Sequence, residues 1–226
     1  MSKNKPACRV YVFSLDLDDD DSPAAQEEVV LSKAELSRAS RFIFPIHRQR
    51  FIRGRTWMRV MLSDFCDIPA KRIDLHEREF GKPVLKNSTI RFNLSHAENN
   101  AVLAVSDACE VGIDVESDRR ELDVDALRAT LYTDLENKWL DALPASQKKA
   151  GFFKLWTAKE ARMKVTGEGF SLAPKDIEVQ CANNDVAKYT KPLKPKAWLT
   201  HLSDVGTGLH CALATSLPVT ELLRQR

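Results

Sequence analysis

Apolar residues recur at a helical period over two long stretches and at a strand period over several short ones, with turn residues between them. Val10-Tyr11-Val12-Phe13-Ser14-Leu15 is β-branched and aromatic, the composition of a first strand. Ser32 followed by Glu35 is a capping box that predicts a helix running towards Phe42 and breaking before Pro45. From His47 to Phe65 a longer helix gathers Phe51, Met58, Met61, Leu62 and Phe65 on one side, and Ile68-Pro69 ends it. Ile73 to Leu75 reads as a short strand, and Glu79-Phe80-Gly81-Lys82-Pro83 as a turn. Three strands follow at Ile90–Leu94, Ala101–Val105 and Val111–Val115, spaced as an antiparallel meander. Thr133 and Glu136 form a second capping box for a helix through Leu140, broken at Pro144. The next helix, from about Ser146 to Val165, ends at Gly167 and Gly169. Short strands at Ile177–Val179, Ala197–Leu202 and Leu209–Thr215 complete the chain, with turns at Asn183-Asn184-Asp185 and Gly206-Thr207-Gly208. Strands and helices in this mixed order predict an α+β fold, with a boundary near Val111 to Ser117.

With 226 residues the chain can bury a good core as one domain or two small ones. A formal net charge of +2 gives no reason to expect nucleic acid or an anionic membrane as partner. Cys8, Cys66, Cys109, Cys181 and Cys211 are scattered, without a CxxC or Cys/His cluster, which predicts reduced thiols in a cytoplasmic protein rather than a disulfide framework or a zinc site. The apolar run at Val10 stops after six residues at the acidic stretch Asp16 to Asp21, the pattern of a strand and a solvated loop, not of a signal peptide. No stretch reaches the ~20 apolar residues of a membrane span.

Four groups of residues change this picture. In the stretch from Phe152 to Gly169, Phe152, Phe153, Trp156 and Met163 share an apolar sector that also contains Glu160. Glu160 and Lys164, four apart, lie about 6 Å from each other along the axis, the geometry of an ordinary surface ion pair. In Val111-Gly112-Ile113-Asp114-Val115-Glu116, Asp114 and Glu116 project to one face of a strand about 6.6 Å apart. Such a pair is either a solvated edge or part of a Mg²⁺ site, since that hard ion takes carboxylate oxygens and completes its shell with water and phosphate. Ser95-His96 closes a strand, where hydroxyl, imidazole and backbone N–H could hold a phosphate as well as serve structure. Arg38, Arg41, Arg48, Arg50, Arg53, Arg55 and Arg59 crowd the first helices, either as a solvated face or as a polyanion site.

Gly81-Lys82-Pro83, Phe92-Asn93-Leu94-Ser95-His96, Gly112-Ile113-Asp114-Val115-Glu116 and the run Trp156-Thr157-Ala158-Lys159-Glu160-Ala161-Arg162-Met163-Lys164 with Gly167-Glu168-Gly169 occur in that order. Together they resemble the surfactin-type 4′-phosphopantetheinyl transferases over roughly residues 31 to 180. Phe170 departs from that pattern, where the family more often has leucine. The resemblance implies a pseudo-dimer of two α+β halves, 1–112 and 113–226, with the active site in the cleft between them. It implies transfer of 4′-phosphopantetheine from coenzyme A to a serine of an apo acyl or peptidyl carrier protein, by a monomer, with Mg²⁺ or Mn²⁺. Asp114, Glu116 and Glu160 would hold the metal. Glu160 would also be the base for the carrier serine, and Lys164 would contact phosphate. Arg48, Arg55, Lys82, Pro83, Ser95, His96 and Lys159 would line the coenzyme A site beside Lys164.

Two other classes use the same residues. A Mg²⁺-dependent phosphohydrolase of a small pyrophosphate compound would need only the carboxylates and water, and a nucleic-acid-binding protein would need only the arginines. For a transferase, the segment from Ser117 to Ser146, with Leu127, Leu131 and Leu135, is the candidate docking surface for the carrier.

Overall fold

The structure, a computed structural model, describes residues 8–19, 30–182, 185–190 and 194–225. The connection at Ser22-Pro23 and the turn at Asn183-Asn184 lie outside the described residues. The strands are β1 (Cys8–Asp16), β2 (Leu75–Glu77), β3 (Pro83–Leu85), β4 (Arg91–Ala97), β5 (Asn100–Ser106), β6 (Val111–Ser117), β7 (Val179–Ala182), β8 (Asp185–Tyr189), β9 (Trp198–Leu202), β10 (Leu209–Thr215) and β11 (Val219–Gln225). The helices are α1 (Lys33–Ala39), α2 (Pro45–Cys66), α3 (Val124–Leu131), α4 (Asp134–Ala142) and α5 (Ala145–Thr166). Both capping boxes form: the Ser32 hydroxyl accepts from Glu35 N–H, and Thr133 does the same for Glu136.

Strand alternation builds the layers. In β1, Val10 and Val12 point to one face while Phe13 points to the other; in β5, Val102 and Ala104 oppose Leu103 and Val105. Phe13, Leu103 and Val105 pack under Trp57, Met58 and Leu62 of α2. Val10, Val12, Val102 and Ala104 meet Ile113 and Val115 of β6 and Cys211 and Leu213 of β10 in a core between two sheets. Ala212 and Ala214, on the other face of β10, pack against Phe152, Phe153, Ala158 and Ala161 of α5. The result is helix, sheet, sheet, helix, with each half contributing one long helix and most of one sheet.

One sheet has the order β11-β1-β5-β4 and the other β6-β10-β9. The expected meander therefore stops after the β4–β5 hairpin, and β6 pairs antiparallel with β10 instead. What joins β6 to β4 is side chains: the Ile113 N–H donates to Asn93 Oδ1 at 2.8 Å and the Val115 N–H to Ser95 Oγ at 3.4 Å. Polar side chains thus take the place of a ladder along the line where the halves meet. A division at 112/113 falls inside β6, and β11 lies parallel to β1 in the sheet of the opposite half.

Cys8 and Cys109 form a disulfide with Cα atoms 6.2 Å apart, so the expectation of uniformly reduced thiols does not hold. Their separation of 101 residues hides a proximity created by folding, because β1 crosses the turn between β5 and β6. Among the described residues no helix is long and apolar enough to cross a membrane.

α5 sits unusually close to β6. A Cβ added at Gly112 would lie 2.2 Å from Ala161 O and 2.6 Å from Val165 N, both backbone atoms that cannot swing aside. Gly112→Ala must push α5 off the sheet, at a cost of roughly 1–3 kcal/mol or more. Urea denaturation measures the loss, and an unchanged midpoint would contradict this packing.

Candidate active site between the halves

The close approach at Gly112 carries the end of α5 across Asp114, the next residue of β6 on the same face. Asp114 is buried, and its Oδ1 accepts from Lys164 Nζ at 2.6 Å and from Ser95 Oγ at 2.9 Å. Lys164 Nζ also donates to Ser95 Oγ at 3.0 Å and to Ile113 O at 3.2 Å. The second carboxylate oxygen of Asp114 is buried without a hydrogen-bond partner. Burial raises the Asp114 pKa against the opposing pull of the Lys164 ammonium.

Glu116, two residues on, accepts from Trp156 Nε1 at 3.3 Å and from Arg120 Nη1 at 2.9 Å. Glu160 stands in the same field. Its pKa is pushed up to about 7, first by burial and then by the negative charge of Asp114 and Glu116, while Lys164 pulls it down. The intrahelical Glu160–Lys164 pair suggested by the spacing is replaced by an ion pair from Lys164 to the strand.

The site suits a divalent cation: its donors are oxygens, one buried oxygen is unpartnered, and burial together with the neighbouring carboxylates raises the Glu160 pKa to about 7. Among the described residues, no three His, Cys, Asp or Glu side chains already form a metal cage. Lys164 supplies the positive charge at Asp114 in this arrangement.

Two cavities open beside this cluster, of about 460 and 270 Å³, and share Arg38, Arg50, Phe51 and His96 in their walls. Glu116, Ser117 and Arg120 reach the first, and Arg55, Gly81, Pro83 and Asn93 line the second. The Phe51 ring lies between two guanidiniums, Arg38 at 5.4 Å and Arg55 at 5.7 Å from its centroid. Burial lowers the Arg55 pKa, with its far higher ordinary value leaving it charged. His96 is exposed at the cavity wall; the atoms crowded around it, then Lys164 and Arg55, lower its pKa and favour the neutral imidazole at pH 7. Arg50 is held by Asp18 through two hydrogen bonds of 2.8 and 2.5 Å.

Several sequence-predicted residues sit elsewhere. Arg48 lines a separate cavity with Phe42, Ile43 and Pro45, because it is two positions from Arg50 and so turned about 200° around α2. Lys82 lies behind the cleft, its buried ammonium bonded to Glu110 Oε2, Val111 O and Val165 O at 3.0–3.1 Å, and burial lowers its pKa to about 8. It ties the Gly81 turn to the start of β6 and the end of α5. Lys159 points away from the cleft, fully buried against Glu136 at 2.8 Å and donating to Pro174 O and Ile177 O. Ser95 is spent on Asp114 and Lys164. Leu127 and Leu131 pack in the core of the C-terminal half, leaving Leu135 exposed. Nor do the arginines form one basic face: Arg53 donates to Leu17 O, and Arg59 to Glu35, Ala70 O and Ile73 O. From sequence Phe51 stood out only as an apolar helix residue, and Arg38 only as one of seven clustered arginines; 13 positions apart on different helices, they left no local pattern that joins them in the cleft.

Residues 23–108 match the family described as 4′-phosphopantetheinyl transferase, N-terminal, and residues 110–214 match the 4′-phosphopantetheinyl transferase superfamily. The chain is 35% identical over 183 residues to the 4′-phosphopantetheinyl transferase HetI of Nostoc sp. (strain PCC 7120), covering 79% of this chain and 77% of that protein. It is 32% identical over 187 residues to the 4′-phosphopantetheinyl transferase psf-1 of Bacillus pumilus, covering 80% and 79%. Among solved structures, a holo-(acyl-carrier-protein) synthase from Bacillus anthracis is 21% identical with a TM-score of 0.41, covering 47% of this chain and 93% of that one.

The raised Glu160 pKa has a consequence for stability. An unfolded glutamate ionises near 4.5, so its contribution is fully present below that pH and is lost as pH rises through about 7. In chelating buffer, thermal unfolding should show stability falling from pH 5 to pH 8, by up to about 3 kcal/mol before solvent screening reduces it. Glu160→Gln should flatten the profile; an equal slope in the variant would place the proton elsewhere.

Proposed function

The chain belongs to the 4′-phosphopantetheinyl transferase superfamily, and on that premise we propose that it moves 4′-phosphopantetheine from coenzyme A to a serine of an apo acyl or peptidyl carrier protein. The observation that carries the reading is the junction of β6 and α5, where Asp114, Lys164 and Glu160 meet beside an arginine-lined cavity. In the reaction the serine oxygen attacks the phosphorus bearing the pantetheine. The bond from that phosphorus to the bridging oxygen breaks, and adenosine 3′,5′-bisphosphate leaves.

A serine hydroxyl is a weak nucleophile at neutral pH, so a base within reach contributes typically 10²–10⁴-fold. Glu160 takes the serine proton as the oxygen–phosphorus bond forms. Asp114, Glu116 and Glu160 would hold Mg²⁺, for which Mn²⁺ can substitute. When bound, the metal supplies positive charge against the pyrophosphate and the leaving phosphate. Lys164, anchored on Asp114, presents its ammonium to the transferred phosphoryl group. Arg38 and Arg55, for which no carboxylate partner is seen among the described residues, are the cations that face the nucleotide end, with Pro83 and His96 in the same wall. Both sides of the cleft come from one chain, which suits a monomer, and nothing in the cleft calls for nucleic acid or membrane. We place the reaction in the cytoplasm, where coenzyme A and carrier proteins meet.

Incubated with coenzyme A, Mg²⁺ and an apo-carrier protein, the chain should add a phosphopantetheine mass to the carrier serine, and excess chelator should abolish the gain. Glu160→Gln should lower the rate at least 100-fold. Phosphate release from coenzyme A without a carrier would favour the phosphohydrolase instead.

The two arginines assigned from sequence separate cleanly. Arg55→Ala should raise the KM for coenzyme A about tenfold, the loss of one charge-assisted contact. Arg48→Ala should leave that KM within about twofold, because its side chain faces another cavity. Equal effects in steady-state kinetics would contradict the placement.

A further inference from the structure

Arg162 follows Glu160 by two positions and so projects from nearly the opposite side of α5. It lines a cavity of about 750 Å³ whose wall also holds Lys188, Tyr189, Lys194, Lys196 and Trp198. Four cations face this space, and no carboxylate among the described residues lines it. Lys188, Lys194 and Lys196 are exposed, whereas Arg162 is only 1% exposed. Its Nη2 donates to Pro195 O at 2.7 Å, while its Nε and Nη1 are buried without a hydrogen-bond acceptor. Tyr189 cannot serve as that acceptor's source of charge, since its hydroxyl is neutral and donates to Ala158 O at 2.6 Å. Glu168 acts on the guanidinium only through space. Lys196 lies over the Trp198 ring at 4.9 Å, which holds one ammonium at the cavity wall.

A buried guanidinium with unused donors is costly, and an apolar residue at this helix position would avoid the cost altogether. The arrangement makes sense if a ligand brings the missing negative charge. We propose that this cavity is a second anion site, separate from the cleft, that binds a small phosphate compound carrying more than one negative charge. A single carboxylate would leave most of the four cations uncompensated, whereas a di- or oligophosphate offers several oxygens to guanidinium and ammonium donors together. The volume exceeds that of either cleft cavity and is ample for a diphosphate.

Isothermal titration calorimetry with inorganic pyrophosphate tests the site in the full chain. Wild-type protein should bind two equivalents, one in the cleft and one here. Arg162→Met should lose one of them while keeping its rate of carrier labelling, and Arg55→Ala should weaken only the other. If Arg162→Met fails to fold, the exposed double variant Lys188→Gln/Lys196→Gln should weaken the same equivalent at least tenfold. Unchanged stoichiometry and affinity in the Arg162 or the double-lysine variant would overturn the proposal, as would a single wild-type equivalent removed by Arg55→Ala. A single equivalent removed by Arg162→Met would support this site and count against the cleft. Malonate binding as tightly as pyrophosphate would overturn the phosphate class.

Discussion

The active site depends on how closely α5 can lie against β6. Gly112 has no side chain, and the backbone of Ala161 and Val165 occupies the space a Cβ would take. Ala212 and Ala214 on the neighbouring strand keep the rest of that face low. With the helix seated this near, Lys164 reaches Asp114 at 2.6 Å, and Glu160 comes within the field of both strand carboxylates. Lys82 fixes the same junction from behind by binding Val111 O of β6 and Val165 O of α5. On the other flank, Lys159 and Glu136 form a fully buried ion pair that ties α5 to α4, and Glu136 also accepts the Val179 N–H of β7. Replacing one partner of such a pair strands a charge in the interior, so the position of α5 is strongly determined. The two lysines and the glutamate of this helix therefore have separate duties: Lys159 holds the helix to α4, and Glu160 and Lys164 act on the carboxylates of β6.

The second constraint is polar. Where the halves meet, β4 offers Asn93 and Ser95 side chains to the backbone of β6 instead of its own backbone. Every peptide group needs a partner, and side chains at alternate positions supply one without a continuous ladder. Ser95 is part of both arrangements, since it accepts from Val115 N–H and donates to Asp114. The line that joins the sheets thus runs directly beneath Asp114. Around it, Arg38, Phe51, Arg55 and Pro83 form the walls of the neighbouring cavity.

Much of this was legible in the sequence because the signals are local. Capping boxes at Ser32 and Thr133, the long apolar helices and the alternation in β4, β5 and β10 need only nearby residues to be read. Asp114, Glu116, Glu160 and Lys164 could be singled out because strand and helix periods give their directions. What escaped is non-local. The pairing of β11 with β1, the disulfide between Cys8 and Cys109 and the turn of β6 away from β5 each join segments that spacing does not relate. Burial was misjudged for the same reason. Lys82 and Lys159 were expected to line the coenzyme A site, and only their partners Glu110 and Glu136 show why they are interior instead. Arg48 and Arg50 differ by two positions, and helical phase alone does not say which side of α2 faces the cleft.

The proposed cation site takes its carboxylates from both β6 and α5, at the junction Gly112 permits. Anomalous X-ray scattering from crystals grown with Mn²⁺ and coenzyme A tests it most directly. One strong manganese peak is expected within coordination distance of Asp114, Glu116 and Glu160, with Lys164 turned towards phosphate. A peak bound away from Asp114, or none with coenzyme A clearly present in the cleft, would contradict it.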